Sequence, residues 1–338
     1  MAELGNNPFM DVYLCVRDQH SPGMVLLSVA VAALGAVTAI LALRRSRTET
    51  GSVNYFRVTL GGLALGTGGW AAHNVALLGY TVGIAIAFHL AYTLTALLFV
   101  CASSVGATLV LARHQTRSGL IAASLLHGGG LAIMHYMGMA AIELPIAISW
   151  APAFVVASVL VAVVLSYPTL GLAVFSRNRV SAGCAVACFG LLVFLTHMMG
   201  MTALEITPER RGAEGVVISA ANLAGWVAIS VLGLFGAGLT MVLANRYGRA
   251  RLEQSERQFS LLVKATSDYA ICMLDCDGRI SQWNAGVRRL TGYGVNEVIG
   301  MPLGSFFTPE DCAAGRPAKA LETARVSGVS IQHGQCRR

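Results

Sequence analysis

Seven apolar runs, each long enough to cross a lipid bilayer, dominate the sequence. They are Met24–Leu43, Val58–Leu78, His89–Ala112, Leu120–Ile142, Phe154–Phe175, Gly183–Leu204 and Val216–Leu243. A spanning helix needs about 20 apolar residues, because the hydrocarbon core of a bilayer is about 30 Å thick. Only 12% of the 338 residues are charged, whereas soluble domains carry about 25%. The chain is therefore predicted to fold as an all-α seven-helix transmembrane bundle followed by a polar C-terminal segment.

Arginine residues mark one end of this predicted bundle. Up to Arg251 the sequence contains fourteen Arg and no Lys, and eleven of these Arg fall in loops on one side. Only Arg17, Arg210 and Arg211 fall on the other side. The positive-inside rule then predicts an external N-terminus and a cytoplasmic C-terminus. The net charge of +7 is explained as a topology signal, so membrane lipid is an expected partner and nucleic acid is not.

Three histidines recur with a constant spacing inside the apolar runs. His73, His135 and His197 are separated by 62 and 62 residues, and the last two share the pattern His-x-Met-Gly-Met-x-Ala-x-Glu. A period of this length fits one pair of membrane helices, so each copy returns to the same face of the membrane. Each histidine follows an inner arginine by 16 to 18 residues, or roughly 24–27 Å of helix. All three are therefore expected at one depth near the outer face, with His20 and His89 at the outer rim.

Polar residues within a span usually face the interior of the bundle, so the three histidines are expected to converge. Met139 and Met201 lie four residues after their histidines and share the same helix face. Imidazole with thioether sulfur suits copper, particularly Cu(I). The predicted metal ligands are His73, His135, His197, Met139 and Met201, with Met134, Met198, His20 and His89 as accessory candidates. Interhelical hydrogen bonding by the histidines and apolar packing by the methionines are the structural alternatives. No catalytic residue is predicted.

The histidine contexts carry a family resemblance. Met134–Met137 reads "MHYM", Thr196–Met199 reads "THMM" and Ala72–Val75 reads "AHNV". Over about residues 8–245 the chain resembles the MHYT family of seven-helix bacterial membrane sensors, named for a Met-His-Tyr-Thr motif. The resemblance implies a location in the bacterial inner (cell) membrane and a copper site near its outer face that senses oxygen, carbon monoxide or nitric oxide. The first copy departs from the pattern, because no methionine surrounds His73.

After the seventh run the composition becomes polar. Residues 245–264 are predicted to form a helical signalling linker with one apolar stripe, which could also pair as a coiled coil in a homodimer. Ile271–Leu274 and Ile280–Trp283 read as strands joined by a hairpin turn at Asp277-Gly278, and Asn284 is a candidate helix cap. With Trp283-Asn284 and the Gly292-Tyr293 turn, residues 257–338 resemble the opening of a PAS domain.

The PAS resemblance implies an incomplete α+β fold that acts as a sensory or dimerisation module. Neither the flavin cysteine motif nor the haem histidine of some PAS domains is seen, so no haem or flavin is expected. The last strands of a PAS sheet are missing, which would leave an unpaired edge. The chain is therefore expected to be a fragment of a longer protein or a truncated gene product.

Four segments are predicted: an outer N-terminal tail (1–23), the membrane sensor (24–243), the linker (245–264) and the partial PAS domain (265–338). The favoured function is an inner-membrane sensor that signals through the PAS segment to a downstream domain or protein. The resemblance to the MHYT family implies a role in two-component or cyclic-di-GMP signalling. They often carry cyclase, phosphodiesterase or histidine kinase domains, whose motifs are not seen here, so enzymatic activity is left open. The alternatives are a structural membrane scaffold with a PAS interaction module, and a proton or metal transporter or redox protein.

Overall fold

The structure is a computed structural model. It describes residues 8–46, 52–81, 87–143, 147–176, 178–207, 216–265 and 269–331. Seven long helices of the described residues follow the predicted apolar runs. They are α2 (Pro22–Leu43), α3 (Tyr55–Leu78), α4 (Leu90–Arg113), α5 (Arg117–Ala140), α6 (Pro152–Val174), α7 (Arg179–Thr202) and α8 (Ala220–Ala265), after a shorter α1 (Pro8–Gln19). Six of the seven, all but α3, are long and apolar enough to cross a membrane. The chain is thus a multi-pass membrane protein.

Two helix boundaries differ from the sequence prediction. The segment predicted as an outer tail contains α1, and the seventh run does not end at Leu243 but continues as one helix to Ala265. The apolar residues of α1 are too few to form a membrane span, so apolar run length does not reveal this helix. The residues after Leu243 include good helix formers such as Arg, Leu, Glu and Gln and contain no proline, so nothing stops α8 there.

The 62-residue period appears in the structure as three equivalent helices. Helices α3, α5 and α7 each contain 24 residues, and their first residues are 62 positions apart. Each follows an N-cap residue whose side chain accepts a hydrogen bond from the backbone N–H three residues later, which satisfies one of the unpaired donors of the first helical turn. These caps are Asn54, Thr116 and Asn178. They fix the start of each helix at the same repeat position.

These three helices form the centre of the bundle. Sixteen of the 24 residues of α3 are buried, many of them glycine and alanine, which permit close helix approach. Helix α2 packs on α3, α4 on α5 and α6 on α7. Because the second member of each pair carries a repeat histidine, the histidines are brought toward a common interior.

Short strands join the helix ends at the histidine end of the bundle, which the sequence analysis did not predict. Strands β1 (Ala87–His89), β2 (Ile142–Glu143) and β5 (Val217–Ser219) form an antiparallel sheet in the order β2-β1-β5. Strands β3 (Ala147–Trp150) and β4 (Leu204–Thr207) form a separate antiparallel pair. These pairings satisfy backbone groups that would otherwise be left without partners near the membrane.

The chain divides into two compact units, residues 1–244 and 245–338. In the second unit, β6 (Cys272–Leu274) pairs with β7 (Ile280–Trp283), which confirms the predicted hairpin. Four helices follow: α9 (Ala285–Thr291), α10 (Val295–Val298), α11 (Pro309–Ala313) and α12 (Arg316–Ser327), with a 3-10 turn at Leu303–Phe306. The core of this unit is built on Ile280, Val298 and Phe306.

A histidine cluster as the candidate metal centre

The three repeat histidines meet inside the bundle. His73 Nδ1 lies 3.0 Å from His197 Nδ1 and 3.2 Å from His135 Nδ1. The ring centroids are 4.9 to 5.4 Å apart, and each residue is at most 2% exposed. The structure therefore places at one point the three residues that the sequence spacing predicts to converge.

The helix caps explain why the three rings share one depth. Each histidine lies nineteen residues after the cap of its helix, at Asn54, Thr116 or Asn178. Nineteen residues correspond to roughly 28 Å of α-helix. Equal starts and equal lengths therefore bring the three imidazoles to the same level, near the far end of the span.

Two glycines make room for two of the rings. A methyl group at Gly138 would lie 2.5 Å from His73 Nε2, and one at Gly200 would overlap the His135 ring. The equivalent position on α3, 62 residues before Gly138, is Ala76. His197 has a different neighbour, since its Nε2 lies 3.4 Å from Nε2 of His20. The cluster is thus a threefold repeat with one altered member.

Hydrogen bonding alone cannot satisfy this cluster. The Nδ1 atom of a neutral imidazole either donates one hydrogen or accepts through one lone pair. His73 Nδ1 faces two other Nδ1 atoms, so it can form a hydrogen bond with only one of them. In addition, Nε2 of His73 and of His135 is buried and has no hydrogen-bond partner among the described residues. A cation between the three Nδ1 atoms would use all three lone pairs at once.

A small cavity of about 10 Å³ adjoins the cluster. Its lining combines the three histidines with Leu131, Met134, Leu192, Val193 and Thr196. The Thr196 hydroxyl is buried, and no residue in the described part of the chain forms a hydrogen bond with it. Met134 and Thr196 each precede a histidine directly, at equivalent repeat positions. Met134 was predicted as an accessory ligand, whereas Thr196 was missed although the 62-residue period aligns it with Met134.

The predicted sulfur ligands Met139 and Met201 are buried in the same apolar core as Met134. Met139 is fully buried and Met201 is 2% exposed, both within the main apolar core, and neither is among the residues that line the cavity. Met198, an accessory candidate, is 1% exposed. Side chains on a helix lean toward its N-terminus, so the histidine rings face the residues before them in sequence. Of these methionines, Met134 is the one that lines the cavity.

The predicted accessory histidines separate into two environments. His20 joins the cluster through His197, and its Nδ1 lies 3.1 Å from the carbonyl oxygen of Cys15. Burial lowers the pKa of His20, which favours its neutral form. His89 instead lies in β1, with its Nε2 3.6 Å from a carboxylate oxygen of Glu143 in β2. The structure thus gives His89 a partner at the rim.

His127 and the cysteine pair of α7 differ in their burial. His127 is fully buried, with Nδ1 3.0 Å from the Ser104 hydroxyl and its ring stacked on Phe189. This agrees with a hydrogen-bonding role. Cys184, by contrast, is exposed, and Cys188 is only partly buried. Both lie on a face of α7 that points away from the core.

The donor set fits a copper ion. Two nitrogen ligands bound at about 2.0–2.1 Å in a tetrahedral site lie roughly 3.4 Å apart, close to the observed 3.0 and 3.2 Å. One nitrogen from each histidine lies within 4.8 Å of the others, and among the described residues this group includes no carboxylate.

The fold and this cluster define a multi-pass membrane protein with a buried histidine centre and a C-terminal α+β unit. Residues 128–188 match the MHYT family model, described as "Bacterial signalling protein N terminal repeat", and residues 257–338 match the PAS fold. The chain therefore belongs to the signalling proteins that carry MHYT and PAS domains, and it is a membrane signalling sensor of that family. Both sequence resemblances are confirmed.

The chain is similar in sequence to three signalling proteins of known name or class. It is 28% identical over 294 residues to an uncharacterized signaling protein of Caulobacter vibrioides, covering 86% of this chain and 35% of the relative. It is 28% identical over 270 residues to the cyclic di-GMP phosphodiesterase NbdA of Pseudomonas aeruginosa, covering 77% and 34%. It is 30% identical over 250 residues to the bifunctional diguanylate cyclase/cyclic di-GMP phosphodiesterase MucR of that organism, covering 68% and 36%.

The chain thus spans about a third of the length of the curated relatives it matches. No solved structure matches it.

Proposed function

We propose that the histidine cluster binds one copper ion and that the chain is a copper-dependent membrane sensor. The observation that carries this proposal is the approach of three buried Nδ1 atoms to one another. Hydrogen bonds can pair only two of the three, whereas a metal ion would engage all of them. The uncharged surroundings favour Cu(I).

His73, His135 and His197 would hold the ion. Of the methionines, Met134 lines the adjoining cavity, so it is a better candidate for a thioether ligand than Met139 or Met201. When bound, copper supplies a position at which a diatomic molecule such as oxygen, carbon monoxide or nitric oxide can bind. The protein's part is to hold three neutral imidazoles together, exclude water and leave a small apolar space beside them.

The orientation proposed for the chain places the cluster near the external face of the bacterial inner membrane. The arginines at the helix ends Arg44, Arg57, Arg113, Arg117 and Arg179 all lie at the opposite end of their helices from the histidines. The positive-inside rule assigns that end to the cytoplasm. Helix α8 runs without interruption from Ala220 to Ala265, so it can carry a change in the bundle toward the PAS segment.

Cyclic-di-GMP signalling is the proposed output, because two of the relatives are named as enzymes of that messenger. A downstream signalling domain or protein is the expected partner. Homodimer formation through the linker and PAS segment stays a prediction.

Metal analysis of the purified full chain tests the copper proposal. The protein as isolated in detergent, after incubation with Cu(I) and removal of free metal, should retain about one copper per chain, as expected for one site built from the three histidines. A His135→Ala/His197→Ala double variant should lose it. His127→Ala is the matched control, because His127 is a buried histidine of the same helix α5 that bonds Ser104 instead, and it should retain copper.

A double variant that keeps its full copper content would contradict the proposal. So would a parent protein that binds no copper and whose melting temperature drops when the histidines are replaced. In that case the cluster would be an interhelical hydrogen-bonding element of a membrane scaffold.

A further inference from the structure

Helix α1 presents three distinct faces. Val12, Cys15 and Val16 are buried or half-buried against the protein. Asp11 and Asp18 lie on a second, exposed face. The third face is apolar and exposed, and its residues are Phe9 (85%), Met10 (52%), Tyr13 (53%) and Leu14 (37%). These four positions fall within a sector of roughly 140° at 100° per residue. An amphipathic helix normally buries such a face.

The buried face is fixed to the histidine end of the bundle. Helix α1 packs on α7, and the segment after it pairs with the end of α3, where Thr81 N–H donates to the Gln19 carbonyl at 2.9 Å. Cys15 is 3% exposed. Helix α1 is therefore held on the bundle by the face that contains Cys15. The apolar face is left on the opposite, exposed side.

The end of α1 lies close to the start of a membrane-spanning helix. Only His20 and Ser21 separate the end of α1 at Gln19 from the first residue of the span α2 at Pro22. Within the first two turns of α2, Leu26 and Leu27 are already 72% and 49% exposed, as expected for residues that face lipid. The C-terminal end of α1 therefore adjoins the part of α2 where the exposed, lipid-facing surface begins.

The charges of α1 fit the same surroundings. Arg17, in the last turn of α1, falls within the same sector as the apolar residues at 100° per residue. Its guanidinium lies 5.4 Å from the Tyr13 ring and is hydrogen-bonded to Asp18. Arginine and tyrosine beside an apolar face are typical of helices at the lipid headgroup level, where the long cationic side chain reaches the phosphates. Asp11 and Asp18 remain on the side that faces water.

We propose that α1 is an interfacial helix that inserts the face formed by Phe9, Met10, Tyr13 and Leu14 into the phospholipid leaflet at the histidine end of the bundle. Its opposite face then holds Cys15, and the adjoining His20, over His197. The lipid surface and the histidine cluster would be linked through this one helix. The position of His20 beside His197 would then depend on how the lipids of that leaflet pack.

Quenching by brominated lipids tests this proposal in the full chain. Tyr13→Trp and the control Asp11→Trp place a new indole on opposite sides of α1, two residues apart. Each variant and the parent are reconstituted as single copies in nanodiscs of phosphatidylcholine, with or without bromine on the upper acyl chains. Subtraction of the parent removes the emission of the four native tryptophans. The added emission of Tyr13→Trp should be quenched roughly threefold more than that of Asp11→Trp, because only an inserted face reaches the acyl chains.

Equal quenching of the two variants, or quenching of Tyr13→Trp by acrylamide from water, would overturn the proposal. Protection of Tyr13→Trp from both quenchers would also overturn it and would point to a protein occupant of the face. Leu14→Trp repeats the test at a second position of the same face, so a local effect at Tyr13 cannot decide the result alone.

Discussion

The position of two histidine rings depends on neighbours that have no side chain. Gly138 lies against Nε2 of His73, and Gly200 lies against the ring of His135. A glycine in a helix normally costs about 0.5–1 kcal/mol relative to alanine. Its presence at both repeat positions is therefore best explained by the space that the imidazoles require.

Gly200→Ala should displace the His135 ring and weaken copper binding by at least about tenfold, which corresponds to roughly 1.4 kcal/mol. Overpacking of a buried site typically costs about 1–3 kcal/mol, so a loss of thermal stability should accompany it. Competition titration with a Cu(I) chelator and a thermal melt measure the two effects.

Gly183→Ala is the matched control on the same helix, because a methyl group there would meet nothing within 4 Å. It should leave copper affinity unchanged and should not lower stability. If Gly200→Ala binds copper as tightly as Gly183→Ala, the close approach of Gly200 does not position the ring.

At the scale of helices and strands, the 62-residue repeat made the long helices of the bundle predictable. The short helix α1 and the short strands were not predicted. The spacing of His73, His135 and His197 predicted three equivalent spans, and the structure has α3, α5 and α7 with identical lengths. Helix α1 was missed because its apolar residues face outward and are too few for a span. Strands β1 to β5 have two to four residues each, too short for an alternating pattern to stand out.

The candidate site was predicted in part for a similar reason. Spacing alone gives the depth of a residue and the side of the helix that it occupies. It does not give the crossing of the helices or the lean of the side chains. The i, i+4 rule therefore favoured Met139 and Met201, whereas the cavity is lined by Met134 and Thr196, which precede their histidines and lie where the rings point.

His20→Ala should loosen the hold of α1 on the bundle. The substitution removes the contact with the Cys15 carbonyl and the approach to His197, and loss of a buried polar contact costs about 1–3 kcal/mol. Burial also raises the pKa of the Cys15 thiol. While α1 is packed on the bundle, Cys15 therefore reacts slowly, because it is covered and because little thiolate is present. Its labelling by a maleimide, located by peptide mass spectrometry, should accelerate roughly tenfold or more.

Arg17→Ala is the control within the same helix. Its ion pair with Asp18 is exposed, and exposed pairs contribute about 0–1 kcal/mol. The labelling rate of Cys15 in Arg17→Ala should therefore match that of the parent. An unchanged rate in His20→Ala would show that other contacts hold α1.

On the scale of the whole molecule, the two units have separate cores and separate determinants of stability. The membrane unit is centred on α3, α5 and α7, and the second unit on Ile280, Val298 and Phe306. Asn284 is a buried organising residue of the second unit. Its Oδ1 accepts hydrogen bonds from the N–H groups of Ile271 and Val287, each at 2.9 Å, and its Nδ2 donates to the Tyr269 carbonyl at 2.8 Å.

Asn284→Ala should destabilise the second unit selectively. The change removes the cap of α9 and leaves the Ile271 N–H without its side-chain acceptor, for a combined cost of roughly 2–3 kcal/mol. Hydrogen exchange of the full chain, followed by mass spectrometry, should show amides of residues 269–331 exchanging about 30- to 150-fold faster, since each 1.4 kcal/mol is a factor of ten. Amides of α3, α5 and α7 should be unchanged, because the hydrogen-bond partners Tyr269, Ile271 and Val287 belong to the second unit. Asn296→Ala, at an exposed position of α10, should have no effect on either region. Faster exchange in the membrane helices of Asn284→Ala would show instead that the bundle draws stability from the PAS segment, and sites far apart would then no longer behave additively.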